Sequence, residues 1–523
     1  MRIPITRIGA VGAVHDIPGY ELPPEAWTTA RNVRFINDAV IRSFGVEPIL
    51  GNASVAPYWL IPAFTPDTAY YVYGGIGTLY VTDGTTHDAI GTVLGGVRDS
   101  RWNGGMFGNI GIFNNGVADP QMWSPPAIAT NVVDLTNWPA STTCKVIRPF
   151  GRFLVAYDIT EGAVNYPWRV KWGSSAPQGA VPATWDETDP TQDAREWDLA
   201  ETYGKIVDAK PLGEVNFVYK EDETHSMTWI GGVNVFRFRR AFPFGMLAQD
   251  CVVEFQKQHF VGSFDDIYVH DGFTYKGILK DKLRAWYSGR MANPQRSFMA
   301  IAGNEAMLGF CEQGSDEPSL AIFINLESLA CSVKELPLVP FVTAASADPS
   351  DVITTFDSVD IAFDAMVGTF GLRSFTQGKT RFVGVWPGAT NRLIMLEQGF
   401  DNNEVDFTAY LERTGLCVSG VDRHGNPKID PTMLKKMDKV WPKVRLQNGT
   451  DFKVRVGSAQ TPDGATTWST YKTFNPVVAP YVDFIDQDII GPYLAVRFES
   501  NDDTLWKLDS YDLEIQDLGQ VTA

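Results

Sequence analysis

Apolar and aromatic residues along this chain recur at every second position in short runs, and Gly, Asn or Asp separates each run from the next. Side chains on a strand point alternately to opposite faces, so period-two runs bounded by turn residues predict paired strands. Seven hairpins are predicted this way. They are Tyr70–Gly84, Met106–Gly116 with its Asn115-Gly116 turn signal, a third opening at Phe150–Tyr157, and Glu214–Tyr219 with Ser226–Gly231. Gln258–Gly262 with Asp266–Gly272, Ala306–Phe310 with Ser319–Asn325, and Thr380–Val385 with Arg392–Leu396 complete the set. Their starts are 36, 44, 64, 44, 48 and 74 residues apart. Four of these spacings lie near the roughly 40–50 residues that one four-stranded propeller blade occupies. The two long gaps predict insertions, one the Trp- and Pro-rich stretch Trp168–Trp197, the other the polar stretch Val342–Asp364.

The ends depart from this rhythm. From Gly415 to Leu518, Lys443–Leu446, Phe452–Gly457, Tyr493–Phe498 and Trp506–Leu508 alternate apolar with charged residues, which suits a sheet with one wet face. Short, numerous strands must close on themselves or expose edges, and radial repetition is one solution. The predicted fold is therefore all-β: a β-propeller of six or seven blades over residues 51–410 and an additional C-terminal β-sandwich-like domain over 411–523. Residues 1–50 form an N-terminal segment that serves as a platform or closes a blade. Two helices are predicted, Pro431–Lys439 capped by Asp430, and Lys280–Tyr287.

Composition supports sheets, with 12% aromatic residues, 47 Gly and 32 Pro. The net charge of −18 has the wrong sign for gripping phosphates or an anionic membrane. Cys144, Cys251, Cys311, Cys331 and Cys417 are odd in number and widely spread with no C-x-x-C pair, so they predict buried thiols rather than disulfides or zinc. No signal peptide and no apolar run of bilayer-spanning length is found, which predicts assembly in a reducing cytoplasm.

Phosphate-loop, serine-hydrolase, zincin and dinucleotide motifs are missing. Of the six histidines only His259 and His270 are placed to be neighbours, across one hairpin with Asp265, Asp266 and Asp271 nearby. Such Asp-rich turns serve hairpin geometry, so the structural reading outweighs a metal site. Glu187 with Asp189, or Glu221, Asp222 and Glu223, could supply an acid and a base for glycoside hydrolysis, though charged loops belong between strands anyway. Trp168, Trp172, Trp185 and Trp197 could stack on sugars but more commonly pack. No catalytic, cofactor-binding or metal residue is assigned, no cofactor is expected, and the chain reads as a structural protein rather than an enzyme.

Leu22–Gly45, with its Asn32-Val33, Phe35, Val40-Ile41-Arg42 and Gly45, resembles the opening of the tail-nozzle proteins of short-tailed bacteriophages, also called tail tubular or packaged-DNA stabilisation proteins. Ile322–Asn325 followed by Lys334–Pro337 is similar to that family's blade ending, and Gly491–Phe498 to its last sheet. The stretch Val342–Asp364 has no match in the family. The resemblance implies a virion subunit assembled in the host cytoplasm. It would form a ring, a homohexamer, that docks on a tail adaptor ring, neighbours other tail proteins such as fibres, and passes double-stranded DNA without tight binding or membrane insertion. The rival reading is a carbohydrate-active or receptor-binding propeller.

Overall fold

The computed structural model describes residues 1–520 apart from 65–68, 92–93, 178, 346–379, 403–404, 422–426, 447–451, 463, 476–483 and 502–504. Strand follows strand. Among the described residues there is one α-helix, Arg284–Arg290, and two single turns of 3-10 helix. Six four-stranded antiparallel sheets follow one another along the chain. Five are meanders formed within residues 59–91, 103–134, 142–198, 206–242 and 252–277. The sixth joins Phe341–Ala345, Arg381–Trp386 and Arg392–Leu396 to Val46–Asn52 from the start of the chain. Between the fifth and sixth, Phe298–Ala302, Glu305–Glu312, Leu320–Asn325 and Cys331–Glu335 make another run of four antiparallel strands.

Every hairpin anticipated from the alternation supplies two adjacent strands of one of these seven groups. In the second and third groups the turns fall at Gly108 and Gly151, both in the left-handed region (φ 64° and 57°) that glycine adopts without steric cost. Trp168 and Trp172 lie in the strand Val164–Trp172 and Trp197 in Arg195–Asp198, so the insertion is the connection between them. Val342 belongs to the strand Phe341–Ala345, and from residue 346 the polar stretch lies outside the described residues.

The first 42 residues are woven into the C-terminal strands. Cys331–Glu335 continues, through the parallel pair Arg31 with Val333, into Thr29–Arg31, then Ala409–Leu416, Tyr493–Ser500 and Lys453–Ala459. A second sheet orders Val33–Ile36, Ala39–Arg42, Trp506–Gln520, Met433–Leu446 and Ile485–Gly491, with Arg2–Ile5 also on Trp506–Gln520. Arg34, reaching out from this segment, meets Glu305 and Glu397, and Lys334, 1% exposed, meets Glu397. A buried ion cluster thus ties the N-terminal segment to the last two groups of strands.

One predicted helix is corrected. Pro431–Lys439 is not helical: Met433–Leu446 is a 14-residue strand, paired along its length with Trp506–Gln520. Leu434 and Met437 have helical spacing, but the ladder to a partner some seventy residues away outweighs local propensity. Asp430 caps no helix; its carboxylate accepts from the Thr432 N–H at 3.0 Å in a turn. The other helix exists at Arg284–Arg290, displaced toward the C-terminus from Lys280–Tyr287. Its cap comes from afar, since the Asp16 carboxylate accepts from the N–H groups of Ala285 and Trp286.

Candidate functional site

His259 and His270 are directly opposite each other on neighbouring strands, as their places in the hairpin suggested. What joins them is Tyr219 from the preceding sheet, whose hydroxyl lies 2.7 Å from His259 Nδ1 and 2.8 Å from His270 Nε2. Burial disfavours charge on both rings, holding His259 at about 3, with the charge of His270 adding to the effect, and His270 at about 4. Neutral rings fix every proton in the chain. The Pro211 carbonyl can only accept, so His259 Nε2 donates to it and His259 Nδ1 accepts from the Tyr219 hydroxyl. Tyr219 then accepts from His270 Nε2, and His270 Nδ1 accepts from the Gly272 N–H. No lone pair on either ring is left to coordinate a metal.

The neighbouring carboxylates are spoken for as well. Asp266 accepts from the N–H groups of Ile267 and Leu279. Asp265 pairs with Arg284, and Asp271 closes its turn through Phe273 and Thr274. Among the described residues no group of His, Cys, Asp or Glu is arranged to hold a metal ion, and His424 lies outside them. All five cysteines are buried and unpaired, and burial pushes the Cys144, Cys251, Cys311, Cys331 and Cys417 thiols up, away from the reactive thiolate.

The acidic pairs separate in space and in role. Lys171, 4% exposed, gathers Glu161, Glu187 and Glu196 at 3.2, 2.8 and 2.9 Å. Despite partial burial, this ammonium holds the Glu187 carboxyl below its ordinary range, the opposite of what a general acid needs. Asp189 instead binds the Thr191 N–H and hydroxyl. Glu223 is buried beside Arg240 at 2.9 Å and Thr202, while Glu221 pairs with Lys205 on the surface. Trp172 and Trp185 are buried, Trp185 edge-on to Trp138, and Trp168 is half-buried. Only Trp197 is exposed, stacked on Phe238.

Two constellations escaped the sequence reading. The first strands of five successive groups line a cavity of about 320 Å³. At one side the Arg148 guanidinium donates to Asp208 at 2.7 and 2.6 Å and to Asp250 at 2.7 Å, and Asp208 also accepts from the Asp250 N–H. Lys210 donates to the Val252 carbonyl at 3.2 Å, and burial lowers its pKa. These residues come from positions 148 to 252, so no local spacing marks them. This centre cross-braces its strands.

The second is the seam between the N-terminal segment and residues 400–408, just before the strand Ala409–Leu416. Asn32, 1% exposed, donates to the Thr408 carbonyl at 2.7 Å and accepts from the Glu335 N–H at 2.8 Å. Arg42, 1% exposed, lies over the Phe407 ring and donates to the Phe400 carbonyl. Gly45 packs so closely on backbone that a Cβ there would stand 1.7 Å from the Asp401 oxygen. Asn32, Arg42 and Gly45 all belong to the stretch Leu22–Gly45.

No protein-family model matches the chain, and no curated protein matches it. Among solved structures it is similar to the AfRom2 CNH domain, at a TM-score of 0.36 and 7% identity over 67% of this chain and 99% of that one. It is similar to PorZ, a bacterial surface component of the type-IX secretion system of Porphyromonas gingivalis, at 0.36 and 11% over 70% and 42%. A third is apo AztD from Citrobacter koseri, at 0.30 and 12% over 54% and 86%. At these scores the likenesses carry no argument about this chain.

Proposed function

We propose that this chain is a non-enzymatic structural subunit of a bacteriophage tail nozzle, one of a homo-oligomeric ring that retains packaged DNA and conducts it during ejection. The observation that carries the reading is the seam. The segment whose phrases resemble the nozzle opening packs through Asn32, Arg42 and Gly45 against Glu335 and residues 400–408, where the seven groups of strands give way to the C-terminal strands. Residues buried at such a junction are under the tightest steric and hydrogen-bond constraint, so short phrases can persist there while surfaces diverge.

In this reading the seven groups of strands are blades of one propeller. Supporting it, the first strands of successive groups pack against one another, the fourth and fifth through Lys210 and the Val252 carbonyl, and the Phe341–Ala345 strand of the last lies against Trp59–Phe64 of the first. Completion of the last sheet by Val46–Asn52 is how a ring of sheets closes with its own N-terminal end. The ends of the chain then form a platform beside the propeller for docking on the adaptor ring. Electron microscopy of the purified protein mixed with its adaptor tests this. Sixfold rings seated on the adaptor are the expected result; isolated particles that ignore the adaptor and take up sugar would instead support the carbohydrate-active reading.

A further inference from the structure

Exposed aromatic side chains are concentrated in one stretch of the chain, residues 197–275. Among the described residues, Trp197, Tyr203, Trp229, Phe264, Phe273 and Tyr275 are all more than a third exposed, and only Tyr471 shares that property elsewhere. In the midst of this stretch is the hairpin of Thr224–Trp229 and Phe236–Phe242, whose second strand is the outer edge of its sheet. From Thr224 to Gln249 the chain has no acidic residue, although its net charge is −18.

Arg237 and Arg239 are exposed and have no ion pair among the described residues, whereas Arg240 is held by Glu223. The register places Arg237 opposite Thr228 and Arg239 opposite Ser226, so both arginines share one face, and Ile230, 47% exposed, follows directly after the last paired residue of the neighbouring strand. Val233, 81% exposed, tips the turn. Charges on an edge strand guard against unwanted pairing, but apolar side chains at the same tip work against that purpose.

A complementary face exists at the other end of the same chain. Ile485–Gly491 is also the outer strand of its sheet, and its exposed residues are Asp486, Asp488 and Ile490, with a register shift in its pairing between Asp486 and Ile489. Asp488 is 75% exposed although Lys436 lies 3.3 Å away. The carbonyls of Asp486 and Ile490 already accept from Lys472 and Ser458, so what this strand offers a partner is its side chains.

We infer that in neighbouring copies of this chain these two faces meet, with Arg239 against Asp486, Arg237 against Asp488, and Ile230 and Val233 against Ile490. Charge spacing of two residues and the order charge, charge, apolar agree when the strands run antiparallel. Because the two patches differ, the contact is head to tail and closes a ring or grows a filament. The inference rests on the ring reading above and supplies its subunit contact.

The test uses two full-length variants, Val233→Cys and Ile490→Cys, mixed under mild oxidation. The five native cysteines are buried and leave the introduced pair as the reporter. Mixed dimers joining one variant to the other are expected in excess over self-joined dimers of either. Arg237→Glu with Arg239→Glu should lower the mixed yield roughly tenfold, and Asp486→Arg with Asp488→Arg on the partner should restore it. Absence of the mixed product, a dominant self-joined Val233→Cys product, or indifference to both charge reversals overturns the contact. Adaptor-bound rings that lack the mixed link remove this contact and leave the nozzle standing, whereas the mixed link in a protein that never seats on an adaptor keeps the contact and removes the nozzle.

Discussion

Tyr219 shows how chemistry suggested by residue type is dissolved by geometry. Two histidines across a hairpin invite a metal, yet the hydroxyl between them uses one nitrogen of each, and Pro211 and Gly272 use the others. The cost appears in acid. Both rings stay neutral in the folded protein until about pH 4 and about pH 3, while the unfolded chain takes up these protons near 6.5. The unfolded state therefore binds more protons as pH falls below 6.5, and stability present above that value is lost from there down to the folded values. At pH 5 the loss is about 2 kcal/mol per ring. Urea denaturation at pH 7 and pH 5 checks this, and Tyr219→Phe, which strands a nitrogen on each ring, should cost about 1–3 kcal/mol even at pH 7. Glu187 pairs with Lys171, so in the proposed nozzle Glu187→Gln should leave phage infectivity within a few-fold of normal. A loss of infectivity with intact tails, scored by plaque assay and microscopy, would restore the enzyme reading.

At the scale of elements, the hairpins were legible because their information is local: alternation sets the faces and a glycine or asparagine sets the turn. Met433–Leu446 was not, since its methionine, leucine and lysines favour a helix and its strand partner, Trp506–Gln520, is remote. The expected boundary near 411 falls within Ala409–Leu416, a strand that pairs with Thr29–Arg31 on one side and Tyr493–Ser500 on the other. Gly45 tests the seam at this scale. Gly45→Ala drives a methyl into the Asp401 backbone, where no side chain can rotate away, and should destabilise by about 3 kcal/mol or more. Limited proteolysis should then release the N-terminal segment ahead of global unfolding. A variant as protease-resistant as the parent would show that the backbone there yields freely.

For the whole molecule, charge decides how a nozzle could treat DNA. Duplex DNA carries one negative charge about every 1.7 Å, so a cationic lumen would hold it through many released counterions and resist ejection. With −18 on each copy, the channel-facing loops of an assembled ring are expected to be acidic or neutral, and repulsion reaching about 8–10 Å at physiological salt would keep DNA off the walls. Mapping charge on a ring reconstructed by cryo-electron microscopy checks this. Clustered Lys and Arg on the lumen would refute the slippery lining. The exposed Arg237 and Arg239 are accordingly expected at contacts between copies and away from the DNA path.

The sequence by itself determined that the chain is built almost wholly of strands, where seven of its hairpins lie and that its thiols are buried, because alternation, turn chemistry and apolar character act over a few residues. Only the tertiary structure decided which strands pair across hundreds of residues, as when Val46–Asn52 completes a sheet begun at Phe341 and Arg31 meets Val333. It likewise decided that Arg148, Asp208 and Asp250 converge and that Tyr219 stands between two histidines. Contacts of that kind are selected by burial and by hydrogen-bond satisfaction in the folded chain as a whole, and no local spacing encodes them.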